Sequence, residues 1–152
     1  MINLDNCPYS VKNVKEFKGR GGVPGFNCSL YKGSRKIGTV HNSGHCGCHK
    51  YNVKREDLAA LSKYAEELTG ETFEADDSVV WALVDRYSLH KDVRKDRKKS
   101  TYIHMKCEPE YEGGMDYKLI AIDRPYSLKL EDAIKVKLGD DLIKVYNPDD
   151  LA

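Results

Sequence analysis

The 152-residue sequence contains no long apolar run, and its longest is the stretch VVWALV from Val79 to Val84. A helix that crosses a bilayer needs about 20 apolar residues, so the sequence predicts no membrane span and no membrane partner. The opening residues MINLDNCPYS form neither a basic leader nor an apolar stretch. We therefore expect no signal peptide and a cytoplasmic location.

The sequence also lacks an even number of cysteines and a strong net charge. Five cysteines cannot all pair, so no complete disulfide framework is expected. A net charge of +1 gives no general attraction to nucleic acid or anionic lipid. The charge is uneven, however. Residues 12–36 carry seven basic side chains and one acidic side chain, whereas all the charged side chains of residues 66–77 are acidic. Such blocks are typical of solvated faces and, less often, of interaction surfaces.

No sequence motif specifies a reaction. There is no GxGxxG segment and no phosphate-binding loop. The paired acids Asp76–Asp77 and Asp140–Asp141 are typical of helix caps and turns. Spacing identifies no catalytic residue, so a binding protein is expected rather than an enzyme, although catalytic groups can also be assembled in space by the fold.

The periodicity of apolar residues predicts an α+β protein with a single domain over residues 1–152. Alternation predicts a small antiparallel sheet, made of an N-terminal hairpin and a later hairpin, over residues 11–18, 26–31, 36–41 and 101–123. Helical spacing predicts helices near residues 56–69 and 78–98, with Asp77 or Ser78 as the cap of the second. Ser127 is expected to cap a third helix over LKLEDAIKVKL, and DLIKVYN is either a final strand or the end of that helix.

One apolar set is expected to form the core that these elements share. Its members are Phe26, Leu30, Ile37, Leu58, Leu61, Trp81, Val84, Ile103, Ile120 and Ile134. The segment FNCSLY also directs Cys28 toward this core as a small apolar side chain.

The stretch HNSGHCGCHK concentrates side chains that bind zinc. They are His41, His45, Cys46, Cys48 and His49. Structural zinc sites normally pair two separated knuckles, whereas here the two cysteines are one residue apart and no second knuckle follows. The pattern is also not the C-x-x-C of thiol–disulfide enzymes. We therefore favour a glycine turn, in which Gly44 and Gly47 adopt positive φ and the neighbouring side chains lie at the surface, with no cofactor.

The basic hairpin interleaves aromatic side chains with lysines and arginines, as proteins that bind single-stranded nucleic acid do. Its candidate partner-binding residues are Arg20, Tyr31, Lys32, Arg35 and Lys36. The absence of a strongly basic net charge argues against a dedicated nucleic-acid-binding domain. The sequence therefore allows either a protein or a nucleic acid as the ligand of this hairpin.

Three segments carry a resemblance to a known family. The segment VKNVKEFKGRGGVPGFNCSLYKGSRKIGTVHNSGHCGC is followed by KKSTYIHM and by YKLIAIDRPYS. Together they resemble a family of small uncharacterised proteins that phages and other mobile elements encode. Members of that family have Asp, Asn and Gly where this chain has residues 41–45, so the resemblance does not imply a metal site shared by the family.

The resemblance implies a phage-type accessory protein, which would inhibit or modulate a host factor in the bacterial cytosol, for example as an anti-CRISPR-like antagonist of host defence. The expected partner is a host protein or nucleoprotein complex. A nucleic-acid-binding protein that uses the basic hairpin is the first alternative. A small zinc-binding protein that uses the His/Cys loop is the second.

Overall fold

The computed structural model describes residues 2–19, 22–45, 48–109 and 116–151. The chain divides into two compact units, Met1–Ser88 and Leu89–Ala152, and each unit contains one antiparallel sheet. The α+β class expected from the sequence is confirmed, with the strands distributed over two sheets instead of one.

The first unit places a four-stranded sheet before two helices. Its elements are β1 (Tyr9–Lys18), β2 (Pro24–Lys32), β3 (Arg35–Asn42), β4 (Lys50–Val53), α1 (Arg55–Thr69) and α2 (Ala75–Asp96), which continues into the second unit. The strands follow the order β1-β2-β3-β4, and every neighbouring pair is antiparallel. The predicted strands and helices of this unit are confirmed, whereas β4 was not predicted because four residues are too few for a periodic signal.

One side of this sheet packs against the two helices and forms the core. Phe26 and Leu30 of β2 are fully buried, and Cys28 between them is 4% exposed, as the alternation of FNCSLY predicts. The Phe26 ring meets Trp81 of α2 edge to face at 4.8 Å. Burial also raises the pKa of the Cys28 thiol to about 11, so this cysteine acts as a core side chain.

Two irregularities set which side chains share a side of the sheet. In β1 the register shifts between Lys12 and Lys15, and Asn13 within that bulge has a φ of 54°. Between β2 and β3 the register shifts between Leu30 and Tyr31: Tyr31 pairs with Lys36, whereas Leu30 pairs with Gly38, so Thr39 and His41 share a side with Lys36. A bulge adds one residue to one strand and thereby redirects the side chains that follow.

The second unit contains a three-stranded sheet and a helix. Its elements are β5 (Thr101–Lys106), β6 (Tyr117–Ile122), α3 (Leu128–Leu138), a short 3-10 turn (Gly139–Asp141) and β7 (Leu142–Val145). β5 lies between β6 and β7. The side chain of Ser127 accepts the Leu130 N–H and caps α3 as expected, while DLIKVYN contributes β7.

The predicted core residues Ile103 and Ile134 are buried in the second unit, and Ile120 is half-buried there. In the first unit Ile37, Leu61 and Val84 are buried, while Leu58 and Trp81 are half-buried against them. Nowhere in the described ranges does a helix combine the length and the apolar character that a membrane crossing requires.

Gly38 provides a test of the pairing between β3 and β4. A Cβ at this position would collide with the Asn52 carbonyl oxygen and lie 2.7 Å from Val53 Cγ2. We predict that Gly38→Ala lowers the free energy of unfolding by about 1–3 kcal/mol, measured by urea denaturation, because β4 must move away. The neighbouring exposed substitution Thr39→Ala is the control and should cost less than about 1 kcal/mol. Equal stability of the two variants would contradict the close approach.

Candidate functional site

The solvent side of the first sheet forms the surface that we call the lysine face. Alternation along each strand and the cross-strand register place the same set of outward-pointing residues on it. The set is Ser10, Lys12, Lys15, Phe17, Asn27, Ser29, Tyr31, Lys36, Thr39, His41, Lys50 and Asn52. The face therefore presents cations, aromatic rings and small polar groups on a single sheet surface.

Four lysines are exposed on this face, and none of its described residues is a carboxylate. The lysines are Lys12, Lys15, Lys36 and Lys50. The only acidic residue within β1–β4 is Glu16, which pairs with Phe26 and so lies on the helix side, where it accepts a hydrogen bond from the Ser88 hydroxyl at 3.0 Å. The positive charge of the lysine face is thus not neutralised from within the sheet.

Aromatic rings lie among these lysines. Phe17 is 38% exposed, and its ring stacks on the His41 imidazole at 6.1 Å with an angle of 23° between the planes. The His41 Nδ1–H donates to Asn27 Oδ1, which orients the imidazole. At the other end of the face, Lys12 Nζ lies 4.9 Å from the centre of the Tyr31 ring, a cation–π distance.

The structure separates the residues that the sequence grouped as partner-binding. Tyr31 and Lys36 are cross-strand neighbours on the lysine face. Lys32 and Arg35 pair with each other on the helix side, where Lys32 Nζ lies 5.7 Å from the centre of the Tyr9 ring. Arg20 lies outside the described residues.

Arg35 is neutralised by α1. Its guanidinium donates to both carboxylate oxygens of Asp57, at 2.6 and 3.2 Å. This bidentate hydrogen bonding holds the pKa of Asp57 below its usual range. Arg35 is therefore less available to an external anion than the lysines on the opposite side of the sheet.

The candidate zinc ligands that the structure describes do not converge, and one of the five lies outside the described residues. His41 belongs to the lysine face, and the His45 ring donates to the Ser43 carbonyl at 3.0 Å. Cys46 lies outside the described residues. Gly44 has the expected positive φ of 69°, and the same expectation for Gly47 falls outside the described residues. Within the ranges that the structure describes, no three His, Cys, Asp or Glu side chains converge on a point that could hold a metal ion.

The prediction that the loop side chains all lie at the surface is wrong for His49, which is 7% exposed. Its imidazole packs edge to face against Phe26 at 5.0 Å and against Trp81 at 5.7 Å. The sequence could not show this, because the contacts come from residues 23 and 32 positions away.

Asp77 holds the end of the His/Cys loop in place. Its Oδ2 accepts the backbone N–H of His49 at 2.8 Å, and its Oδ1 accepts the Tyr51 hydroxyl at 2.7 Å. α2 begins at Ala75, two residues before Asp77, so this carboxylate lies in the first turn of the helix and serves the loop instead of capping the helix. Burial and the Asp77 bond together raise the pKa of Tyr51, which stays protonated.

The imidazole of His49 is neutral near pH 7. Its Nδ1 lies 3.3 Å from both Asn42 Nδ2, a donor, and Asp77 Oδ2, an acceptor. Burial lowers the pKa of His49 more than the nearby carboxylates raise it, so the contact with Asp77 is not an ion pair at neutral pH. Among the described residues, the buried Nε2 of this ring has no hydrogen-bond partner.

Cys48 lacks the features of an activated thiol. Its Sγ donates to Glu74 Oε1 at 3.1 Å, and this bond together with the carboxylate charge raises the pKa of the thiol. Nucleophilic cysteines have lowered pKa values, because the thiolate is the reactive species. The geometry around Cys48 thus favours a structural role.

Comparison with protein-family models, with curated proteins and with solved structures finds no match to this chain. The resemblance to phage-encoded proteins stays a prediction.

Sequence reasoning missed most of the lysine face. It grouped basic residues by proximity in the chain, and so omitted Lys50, which joins the face through β4. Strict alternation would have assigned Tyr31 and Lys32 to opposite sides of the sheet, and this was the available signal. The register shift between Leu30 and Tyr31, which places Thr39 and His41 on the same side as Lys36, has no such signal.

The burial of neutral His49 predicts a pH-dependent stability. In the unfolded chain histidine has a pKa of about 6.5, whereas in the fold the pKa of His49 is lower, so proton uptake favours unfolding. The free energy of unfolding should therefore fall as the pH decreases below about 6.5. Urea denaturation of His49→Phe, which keeps a ring among the aromatic side chains, should show a shallower pH dependence.

The matched control is His45→Gln, which removes an exposed histidine of the same loop and should keep the slope of the parent protein. His104 of the second unit also has a pKa lowered by burial and by Lys144, so part of the slope persists in both variants. If His49→Phe retained the whole slope, the buried imidazole would not be its source.

We also predict that folding requires no zinc. The His41 ring lies on the lysine face, while the His49 ring is enclosed on the helix side, so the two cannot bind one ion. Elemental analysis of protein purified without added metal should find substoichiometric zinc, and EDTA should leave the circular dichroism spectrum unchanged. Stoichiometric zinc, together with unfolding by the chelator, would instead indicate ligands in the segment from Cys46 to Cys48.

Proposed function

We propose that this protein binds single-stranded nucleic acid through the lysine face. The observation that carries the proposal is the combination of four exposed lysines, two exposed or half-exposed aromatic residues and no carboxylate among the described residues of one sheet surface. Proteins that bind single strands combine a cationic surface for the backbone with aromatic rings on which bases stack. The lysine face contains both components.

The charge of the face supports a polyanionic ligand. Lys12 and Lys15 come from β1, Lys36 from β3 and Lys50 from β4, so the cations extend across the whole sheet. Each phosphate that a lysine neutralises releases condensed counterions, which favours binding at low salt. The overall charge of +1 does not oppose this, because the acids of the first unit lie mainly on the helices that cover the opposite side.

The shape of the face supports a single strand over a duplex. Proteins read the major groove of duplex DNA with an inserted helix or β-ribbon, which a broad sheet surface does not provide. Unpaired bases can instead lie flat on the rings of Phe17 and Tyr31. Asn27, Thr39 and Asn52 are exposed beside these rings and can hydrogen-bond base edges, sugars or phosphates.

The wider role expected from the resemblance is a phage-type accessory protein that modulates a host factor. Binding of nucleic acid would supply one means of doing so, through a nucleoprotein complex of the host. An acidic host protein is the other ligand that the charge of the lysine face would attract.

Neutralising the face tests the proposed function. We predict that replacing Lys12, Lys15, Lys36 and Lys50 by Gln weakens the binding of fluorescently labelled oligothymidylate, measured by anisotropy over a series of salt concentrations. For single strands, each phosphate that a lysine neutralises contributes about 0.7 to the slope of log Kobs against log salt. Because four lysines are replaced, the slope of the variant should be shallower by about 3.

The matched control replaces four exposed lysines off the face by Gln. These are Lys18, Lys32, Lys54 and Lys63. Both variants lose the same charge, so only a ligand bound at the lysine face distinguishes them. Equal effects of the two sets, or no binding of single strands by the parent protein, would contradict the proposal. Capture of a protein from host lysate that survives nuclease treatment would indicate the acidic protein partner.

A further inference from the structure

The cross-strand register orders the lysine face, apart from Phe17, into three parallel rows. The first row is Lys15, Asn27, His41 and Lys50, the second is Lys12, Ser29, Thr39 and Asn52, and the third is Ser10, Tyr31 and Lys36. We name them the His41 row, the Ser29 row and the Tyr31 row. Each row runs across the strands, and neighbouring rows are two residues apart along β2.

Aromatic rings lie only at the two ends of this arrangement, because Phe17 pairs with Gly25 one row beyond the His41 row and Tyr31 belongs to the third row. At the His41 row, the Phe17 ring stacks on His41 and passes over Gly25, where a Cβ would come within 2.7 Å of Phe17 Cε2. The absence of a side chain at Gly25 therefore lets the ring lie close to the sheet. At the Tyr31 row, the ring of Tyr31 is half-buried beside the Lys12 ammonium.

Apart from Lys12, the side chains of the middle row are small and polar. Ser29 and Thr39 contribute hydroxyls, and Asn52 contributes an amide at the edge of the sheet. Ser29 is 6% exposed, whereas Thr39 and Asn52 are exposed. This row offers hydrogen bonds but no ring on which a base could stack.

We propose that the lysine face has two separate stacking platforms, Phe17–His41 and Tyr31, which bind two bases of the same strand. This inference rests on the proposed function. Gly25, which pairs with Phe17, lies two residues beyond Asn27, so the span between the platforms is shortest when it is measured from His41. From Asn27, which pairs with His41, to Tyr31 the strand β2 advances four residues, about 13 Å at about 3.3 Å per residue. At the stacked spacing of about 3.4 Å, this distance corresponds to about four nucleotide steps. The intervening nucleotides cross the Ser29 row, and a strand of about five nucleotides is the shortest that reaches both platforms in this stacked geometry.

A length series of oligothymidylates tests the two platforms. A trimer reaches only one platform, whereas a strand of about five or six nucleotides reaches both. The affinity of the parent protein should therefore rise by about tenfold or more between these lengths, since the second contact is intramolecular. For still longer strands the affinity should rise only gradually, because each added nucleotide provides one more position at which the strand can bind.

Two single substitutions separate the platforms. Phe17→Leu and Tyr31→Leu should each remove the length step and weaken binding of an eight-nucleotide strand by about tenfold. Each substitution should lower the affinity for the trimer by only about twofold, because the other platform still binds it. The aromatic replacements Phe17→Tyr and Tyr31→Phe should keep the step, which distinguishes loss of stacking from disturbance of the sheet.

Phe73→Leu is the matched control, since Phe73 is 78% exposed and lies between α1 and α2, off the lysine face. It should leave all affinities unchanged. A smooth rise of affinity with length in the parent protein, or trimer binding that depends on one ring alone, would overturn the two platforms while leaving the proposed function in place. Failure of the parent protein to bind any length at low salt would defeat the proposed function itself.

Discussion

The buried carboxylate of Asp77 is the contact on which the first unit depends. Burying a carboxylate is costly unless hydrogen bonds replace its water, and here a backbone N–H and a tyrosine hydroxyl do so. Both donors, His49 and Tyr51, flank Lys50 at the start of β4. Asp77 thereby fixes this short strand against α2, and Lys50 points to the opposite side of the sheet because alternate residues of a strand do. An acid in the interior thus positions a cation on the lysine face.

The two sides of the sheet differ in how their charges are compensated. On the helix side, Asp57 pairs with Arg35, and Glu16 accepts a hydrogen bond from Ser88. The two helices of the first unit both cover that same side, so their acids do not reach the lysines on the other. Within this unit, the difference in charge between the two sides of the sheet therefore follows from the fact that helices cover only one of them.

The local parts of this structure could be predicted from the sequence, and the long-range parts could not. The alternation of FNCSLY and the three- and four-residue spacing of Leu58, Leu61 and Ala65 are local signals, and the elements they predict are present. The environment of His49 depends on Asp77 and Trp81, which the folded chain brings from 28 and 32 residues away.

The candidate site shows the same limit. Membership of the lysine face depends on register, and a one-residue shift exchanges the two sides of a strand. The bulge at Asn13 and the shift after Leu30 each change that register without a composition signal. Proximity in the chain grouped Tyr31 with Lys32 and Arg35, which the folded sheet directs to the other side, although alternation along the strand already indicates this for Lys32.

The bulge in β1 has a further consequence for how copies of the chain behave together. β1 is an edge of the first sheet, and edges present unpaired backbone groups to which another chain can add a strand. The positive φ of Asn13 interrupts the regular ladder in the middle of that edge, and Lys12 and Lys15 flank the interruption. Irregular geometry and like charge both oppose the addition of a strand from a second copy, so this edge is protected against edge-to-edge aggregation.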